Sequence, residues 1–152
     1  MIIKTPVGLM TVGFRNGSLV CEFGKQTCDT EPPTQLTKQL TAYFKGTFTD
    51  TFDAPLPEGS PFSKKCWAAC RTIPFGTTIT YSQLANLAGS PKAARAAGQA
   101  MRHNPVAILT PCHRVISSSG KLHGYSGVTN PRSKELYRKQ FLINLEKCIM
   151  KS

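Results

Sequence analysis

The chain has 152 residues, the size of one ordinary domain or of two small lobes. Hydrophobic residues make up 40% and the mean hydropathy is −0.19, a composition that excludes wholesale disorder. No apolar run approaches the roughly 18 residues of a membrane span, and the first residues lack the apolar stretch of a signal peptide. We therefore expect a cytoplasmic protein, nuclear if the organism is eukaryotic, with no membrane partner.

Charge is distributed unevenly along the chain. Residues 1–60 contain five Lys or Arg and six Asp or Glu, a net charge of −1. Residues 61–152 contain fourteen Lys or Arg and two acids, a net charge of +12. So basic a second part favours a polyanionic partner, and we favour nucleic acid over a general solubility charge.

The first part alternates between strand-like and helix-like patterns. Two apolar runs at 8–14 and 18–23 flank Asn16-Gly17, which predicts a hairpin turn. Residues 34–45 show helical periodicity. Residues 47–60 predict an edge strand followed by a proline-rich linker.

The basic part is predicted to be mainly helical. Ser60-Pro61 is typical of a helix start, and Thr80 begins a capping box that opens a helix over 81–88. Ser90-Pro91 predicts the start of a second helix over 92–103, and so short a connection indicates a helix-turn-helix. That second helix is unusually smooth, because alanines and a glycine replace long side chains over most of its length. Such a surface suits tight helix packing or close approach to DNA, and the residues alone favour neither.

The six cysteines do not predict a disulfide framework or a metal site. No CxxC pair occurs, and Cys21 and Cys28 have no histidine nearby, since all three histidines lie in the second part. Cys66 and Cys70 fit the buried stripe of a helix. We therefore expect no metal ion.

Cys112-His113 is the sharpest chemical feature. It follows a strand-like run at 106–109 and precedes a final helix predicted over 131–147. A thiolate is nucleophilic, and an imidazole can take the thiol proton directly or through a water. Because adjacent side chains on an extended segment point apart, a water bridge is expected. Glu146 could orient the imidazole. By itself, such a pair is more often structural than catalytic.

Several ordered motifs resemble the O6-alkylguanine-DNA alkyltransferase family. Pro111-Cys112-His113-Arg114-Val115, followed by Tyr125-Ser126-Gly127, resembles its active-site signature. The similarity is dense over residues 62–127 and looser over 1–61. It includes Ile73-Pro74-Phe75-Gly76, Thr80-Tyr81, the run from Pro91 to Gly98, and Asn104-Pro105.

The resemblance implies an α/β (α+β) fold with two parts. Residues 1–58 would form a small supporting N-terminal α/β lobe with an antiparallel sheet and a helix. Residues 59–152 would form a mainly helical C-terminal DNA-binding and alkyl-transfer domain. The family flips O6-alkylguanine out of duplex DNA and moves the alkyl group irreversibly to its own cysteine, so each molecule acts once. The resemblance thus implies that the partner is double-stranded DNA, which the protein contacts in the minor groove. It also implies a monomer that needs no cofactor.

The matching positions imply roles for individual residues. Cys112 would accept the alkyl group, His113 would be its base through a water, and Glu146 would be the third member of the triad. Tyr81 would hydrogen-bond the departing guanine and donate a proton to it.

The remaining matches imply contacts with DNA and the flipped base. Arg95 would insert into the duplex and fill the gap left by the flipped nucleotide. Ala93, Ala94 and Gly98 would be the small residues that admit the helix to the minor groove, and Asn104 would be a hinge. The base would be contacted by the backbone carbonyl of Val115, by Tyr125 as one wall of its pocket and by Ser126 as an amide donor. Candidates for phosphate or local structural contacts are Arg102, Arg114 and Lys121, of which Arg114 is the more structural.

Two departures from the family pattern stand out. Glu146 ends a run that fits the family's Lys-x-x-Leu-Leu-x-x-Glu pattern, but about seven extra residues precede it. Glu135 is the competing acid, and we favour Glu146. Val128 stands where a glycine is common in the family. We therefore expect a differently shaped pocket mouth and a different range of alkyl groups that the protein accepts.

Three other functions compete with alkyl transfer. Alkyltransferase-like binding proteins lack the cysteine, whereas Cys112 is present. A helix-turn-helix transcription factor needs long polar side chains on its recognition helix, which 93–98 lacks apart from Arg95. A cysteine hydrolase would turn over many times, whereas we expect a single stoichiometric event.

Overall fold

The structure, a computed structural model, describes residues 1–118 and 134–151. It has the mixed α/β fold expected from the sequence, with an antiparallel sheet followed by helices. The chain divides into two compact units: Met1–Glu58 with Pro105–Leu109, and Gly59–Asn104 with Thr110–Ser152. Within the described ranges, no helix combines the length and apolarity needed to cross a bilayer.

The first unit is built on a three-stranded antiparallel sheet in the order β1-β2-β3. The strands are β1 (Ile2–Thr5), β2 (Gly8–Arg15) and β3 (Ser18–Phe23). The hairpin prediction is confirmed, because Asn16 and Gly17 take positive φ values of 52° and 80° between β2 and β3. The helix α1 (Thr34–Phe44) follows as predicted and buries one face.

Two predicted strands are absent from this unit. Residues 47–60 form no strand. The rings of Phe48 and Phe52 instead contact each other in a tilted arrangement, with 5.0 Å between their centroids. The Phe52 ring also contacts that of Tyr43, with 5.8 Å between centroids. The run at 106–109 forms isolated bridges rather than a strand, among them a parallel bridge between Val106 and Cys21. That contact groups Pro105–Leu109 with the first unit rather than with the basic part.

The second unit is mainly helical. Its helices are α2 (Pro61–Cys70), α3 (Tyr81–Leu87), α4 (Ala94–Arg102) and α5 (Lys134–Met150), and the short strands β4 (Ile79–Thr80) and β5 (Val115–Ile116) pair in parallel. Both predicted starts are confirmed: the Ser60 side chain caps α2, and Thr80 forms a capping box at α3.

The helices α3 and α4 pack together across a tight turn. Gly89 takes a φ of 85° after α3, as a residue in the left-handed conformation at a helix end does. The predicted start of α4 was wrong. The helix begins at Ala94 rather than at residue 92, without a side-chain cap, because Ser90 to Ala93 form a separate turn in which Ala93 N donates to Ser90 O.

The core of the second unit lies between α2, α3, α4 and the start of α5. Trp67 on α2 is buried, and its indole Nε1 donates to the carbonyl of Ala100 on α4 over 2.9 Å. Cys66 and Cys70 are buried core residues, as predicted, and burial raises the pKa of both thiols. Cys112 belongs to the same cluster, so it lies against packed side chains.

Candidate active site

Cys112 lies in a turn rather than on an extended segment, contrary to expectation. Residues Cys112–Arg114 form one turn of 3-10 helix, and Cys112 is only 6% exposed. The backbone N–H of Cys112 donates to the Thr110 carbonyl over 2.8 Å. Asn104, from the segment after α4, donates from Nδ2 to the same carbonyl over 2.8 Å and to the Cys112 Sγ over 3.3 Å. A side-chain amide therefore touches the thiol directly.

His113 follows in the same turn and is completely buried. Its Nε2 donates to Glu146 Oε2 over 2.6 Å, so the structure places Glu146 of α5, and not Glu135, beside the imidazole. This contact makes Nδ1 the ring nitrogen on which a proton from the thiol would arrive. Glu135 lies in the first turn of α5, three helical turns away.

The Glu146 carboxylate is the centre of a buried hydrogen-bond network. Arg114 donates from Nε to Oε1 over 2.8 Å and from Nη2 to Oε2 over 3.1 Å, and Gly76 N donates to Oε1 over 3.1 Å. Arg114 also donates to the Ile73 carbonyl, so it has the local structural contacts expected for it. Gly76 has a φ of 85°, and a Cβ there would overlap Met150.

The network sets the protonation of its members. Burial alone would raise the pKa of the Glu146 carboxyl, but hydrogen bonds and charges from His113 and Arg114 outweigh it and hold that pKa well below its ordinary value. Burial lowers the pKa of His113, and the nearby carboxylate only partly opposes this effect. At neutral pH the site therefore contains a charged carboxylate and a neutral imidazole, which can accept a proton.

Tyr81, the first residue of α3, contributes a phenol to the same region. Burial, helped by the proximity of Cys112, raises the pKa of Tyr81 to about 12. The hydroxyl therefore keeps its proton at neutral pH. A Cβ added at Gly98 of α4 would lie 3.7 Å from the Tyr81 ring, so the missing side chain opens space beside the phenol.

Lys139 is a site residue for which sequence reasoning predicted no role. It is fully buried on α5, donates from Nζ to the Val115 carbonyl over 2.7 Å, and lies 5.7 Å from the centroid of the Tyr81 ring. Burial lowers the pKa of Lys139 to about 8. One feature of the sequence could have predicted that Lys139 lies in the site. It precedes Glu146 by seven residues, which places it two helical turns earlier on the same face of α5.

The residues predicted to face DNA lie on or beside α4. Arg95 and Arg102 are exposed, whereas Ala93, Ala94 and Gly98 are partly buried. Val115 is buried, and its carbonyl accepts from Lys139. Tyr125 and Ser126, together with Lys121 and Val128, lie outside the described residues.

In residues 1–118 and 134–151, no group of three or more His, Cys, Asp or Glu side chains is arranged to hold a metal ion.

The structure brings together the thiol, amide, imidazole, carboxylate, phenol and ammonium groups of six residues. They are Cys112, Asn104, His113, Glu146, Tyr81 and Lys139.

Comparison with known proteins gives one consistent result. Residues 61–148 match the family model of the 6-O-methylguanine DNA methyltransferase DNA-binding domain. A methylated-DNA–protein-cysteine methyltransferase of Mycolicibacterium paratuberculosis is 42% identical over 156 aligned residues, covering 95% of this chain and 90% of that protein. A protein of the same name from Methanosarcina acetivorans is 39% identical over 95% of this chain and 96% of its own length.

Solved structures agree with these matches. The crystal structure of Mycobacterium tuberculosis O6-methylguanine methyltransferase superposes with a TM-score of 0.78 and 38% identity, covering 97% of this chain and 91% of that one. The Mycobacterium tuberculosis protein OGT in complex with DNA gives a TM-score of 0.81 and 39% identity, covering 97% and 92%. The chain belongs to the 6-O-methylguanine DNA methyltransferase family.

Proposed function

We propose that this protein repairs O6-alkylguanine in duplex DNA by moving the alkyl group to Cys112, once per molecule. The observation that carries the proposal is the direct succession of Cys112 and His113 in one buried turn, with Glu146 bonded to the imidazole over 2.6 Å. Relatives of this chain are named methylated-DNA–protein-cysteine methyltransferases, and one solved relative is bound to DNA.

The first step is activation of the thiol. Because His113 is neutral and its Nε2 is bonded to Glu146, the proton of Cys112 moves to Nδ1 through a bridging water. The charged carboxylate then stabilises the imidazolium that forms. The Asn104 amide, 3.3 Å from Sγ, stabilises the thiolate as a hydrogen-bond donor.

The second step is transfer. The thiolate attacks the alkyl carbon, an S–C bond forms, and the C–O6 bond of the guanine breaks. The electron pair of that bond remains on the base, and the Tyr81 hydroxyl, which is protonated at neutral pH, supplies a proton to it. A thioether is not readily hydrolysed, so the protein does not return to its starting state.

Binding to DNA is proposed to use α4 and the charge around it. The basic part carries a net charge of +12, which favours the phosphate backbone. The small residues Ala93, Ala94 and Gly98 suit a shallow approach in the minor groove. For Tyr125 and Ser126, which lie outside the described residues, we propose the roles in base binding that the family resemblance implies. We further propose that the protein acts as a monomer in the compartment that contains the DNA: the cytoplasm, or the nucleus of a eukaryotic cell.

Intact mass spectrometry tests the proposed reaction. After incubation with duplex DNA containing O6-methylguanine, we expect the mass of every active molecule to rise by one methyl group, located on the Cys112 peptide. Unmodified DNA is the control, and the exposed Cys148 reports non-specific alkylation. Tight binding with unchanged mass would identify a lesion-binding protein instead, and repeated turnover would identify a hydrolase.

Arg95 is predicted to matter for duplex DNA but not for a free base. Its exposed side chain on α4 is proposed to replace the flipped nucleotide, which costs a few kcal/mol to unstack. We expect R95A to slow repair of duplex DNA about tenfold or more while reaction with free O6-benzylguanine stays within about twofold of wild type. Single-turnover rates on both substrates measure the difference.

R95K is the matched control, because it keeps the charge and loses the planar guanidinium. If stacking is the role of Arg95, R95K should resemble R95A on duplex DNA. Equal losses on duplex and free base would contradict a role in flipping.

A further inference from the structure

Thr110, two residues before the proposed acceptor, is the meeting point of three hydrogen bonds. The residue is fully buried. Its carbonyl accepts from the Cys112 N–H and from Asn104 Nδ2, both over 2.8 Å, and its hydroxyl accepts from Arg71 Nε over 3.0 Å. The Asn104 amide, which touches the thiol, and the Cys112 backbone, which carries it, therefore both depend on the orientation of the Thr110 peptide unit.

Through its bond to the Thr110 hydroxyl, Arg71 connects Thr110 to the C-terminal end of α2. Arg71 is the C-cap residue of α2, and its backbone N–H donates to the Trp67 carbonyl over 3.1 Å in the last turn of the helix. Trp67 in turn bonds to the Ala100 carbonyl of α4. Arg71 is partly buried, and a guanidinium donor to a hydroxyl forms a charge-assisted hydrogen bond. The same end of α2 thus contacts both α4 and Thr110.

This bond is able to control the position of the thiol. Thr110 is β-branched, so its χ1 angle has few allowed values, and the bond to Arg71 selects the one that points the hydroxyl at α2. Rotation of the Thr110 peptide unit would break the bonds to Cys112 and Asn104 together. Displacements of about 1 Å at a reacting atom can cost on the order of a hundredfold in rate.

We propose that the Arg71–Thr110 hydrogen bond positions the Cys112 thiol for alkyl transfer, an inference that rests on the proposed role of Cys112 as acceptor. Arg71 and Thr110 are positioning residues, since they act through the Cys112 backbone and the Asn104 amide. Neither side chain is required to touch the alkyl group or the base.

A double-mutant cycle tests this proposal. T110V keeps the shape of the side chain and removes the acceptor, and T110S keeps the hydroxyl. R71M keeps an unbranched apolar stem, shorter than that of arginine, and removes the donors. We measure the transfer rate at saturating free O6-benzylguanine, the dissociation constant for duplex DNA and the melting temperature. K65A, which removes one exposed positive charge from α2, controls for charge loss.

T110V and R71M are each expected to lower the transfer rate about tenfold, and their combination is expected to be no slower than the slower single variant. T110S should recover most of the rate, and the DNA dissociation constants should stay within about twofold of wild type. Equal rates for T110S and T110V, or losses that multiply in the double variant, would overturn the proposal. A wild-type protein that leaves Cys112 unmodified would overturn the proposed function itself. The positioning role is overturned only by the rates of the variants, so the two outcomes are distinguishable.

Discussion

Replacement of Cys112 by serine is expected to abolish alkyl transfer and to leave DNA binding intact. A serine hydroxyl is a far weaker nucleophile than a thiolate, and a neutral imidazole does not ionise it to a useful extent. The side chain is only 6% exposed, so the change does not alter the surface that would meet the phosphate backbone. Intact mass and fluorescence anisotropy with O6-methylguanine duplex DNA measure the two properties.

C148S is the matched control, because Cys148 is an exposed cysteine on α5. It should accept one methyl group at the wild-type rate. Stoichiometric methylation of the C112S variant that requires O6-methylguanine DNA would contradict the assignment of Cys112, and loss of DNA binding by C112S would show that the thiol contributes to recognition.

Glu146→Gln is expected to destabilise the protein strongly and to slow transfer. The substitution conserves shape but leaves the buried Arg114 guanidinium without its carboxylate and gives His113 Nε2 a neutral partner. Breaking a buried ion pair by removing one partner costs about 3 kcal/mol or more. For a chain of this size that corresponds to a fall of roughly 10 °C in Tm. Differential scanning calorimetry and single-turnover rates with free O6-benzylguanine measure both effects.

The variant should also change the response to acid. The folded pKa of Glu146 is lowered, so its contribution to stability is complete above the ordinary carboxyl pKa of about 4.3 and is lost as pH falls towards the lower folded value. Wild-type protein should therefore lose more stability than E146Q between about pH 5 and pH 3. E135Q, at the start of the same helix, should keep wild-type stability and rate. Parallel acid curves for E146Q and wild type would contradict the ion-pair account.

Local rules predicted much of the fold. Asn16-Gly17, the Ser60 cap and the Thr80 capping box each depend on residues next to one another in sequence, and each appears where expected. The choice of Glu146 over Glu135 came from the spacing of a family pattern, and the geometry agrees with it.

The failures arose where tertiary contacts outweigh local pattern. Phe48 and Phe52 alternate as in a strand, yet their tilted rings contact each other and the segment forms no ladder. Ser90-Pro91 has the composition of a helix start, but its residues form a turn before α4. Lys139 lies far from Val115 in sequence, and only the folded chain shows that its ammonium group is buried there.

The position of Glu146 has a consequence for truncated chains. Cys112 and His113 precede α5 in the chain, so a truncation before Lys134 would keep the thiol and the imidazole and remove the whole helix. Both the carboxylate that orients His113 and the ammonium group on the Val115 carbonyl belong to that helix. A chain truncated before α5 would thus carry the thiol without its oriented base, and we expect it not to transfer an alkyl group.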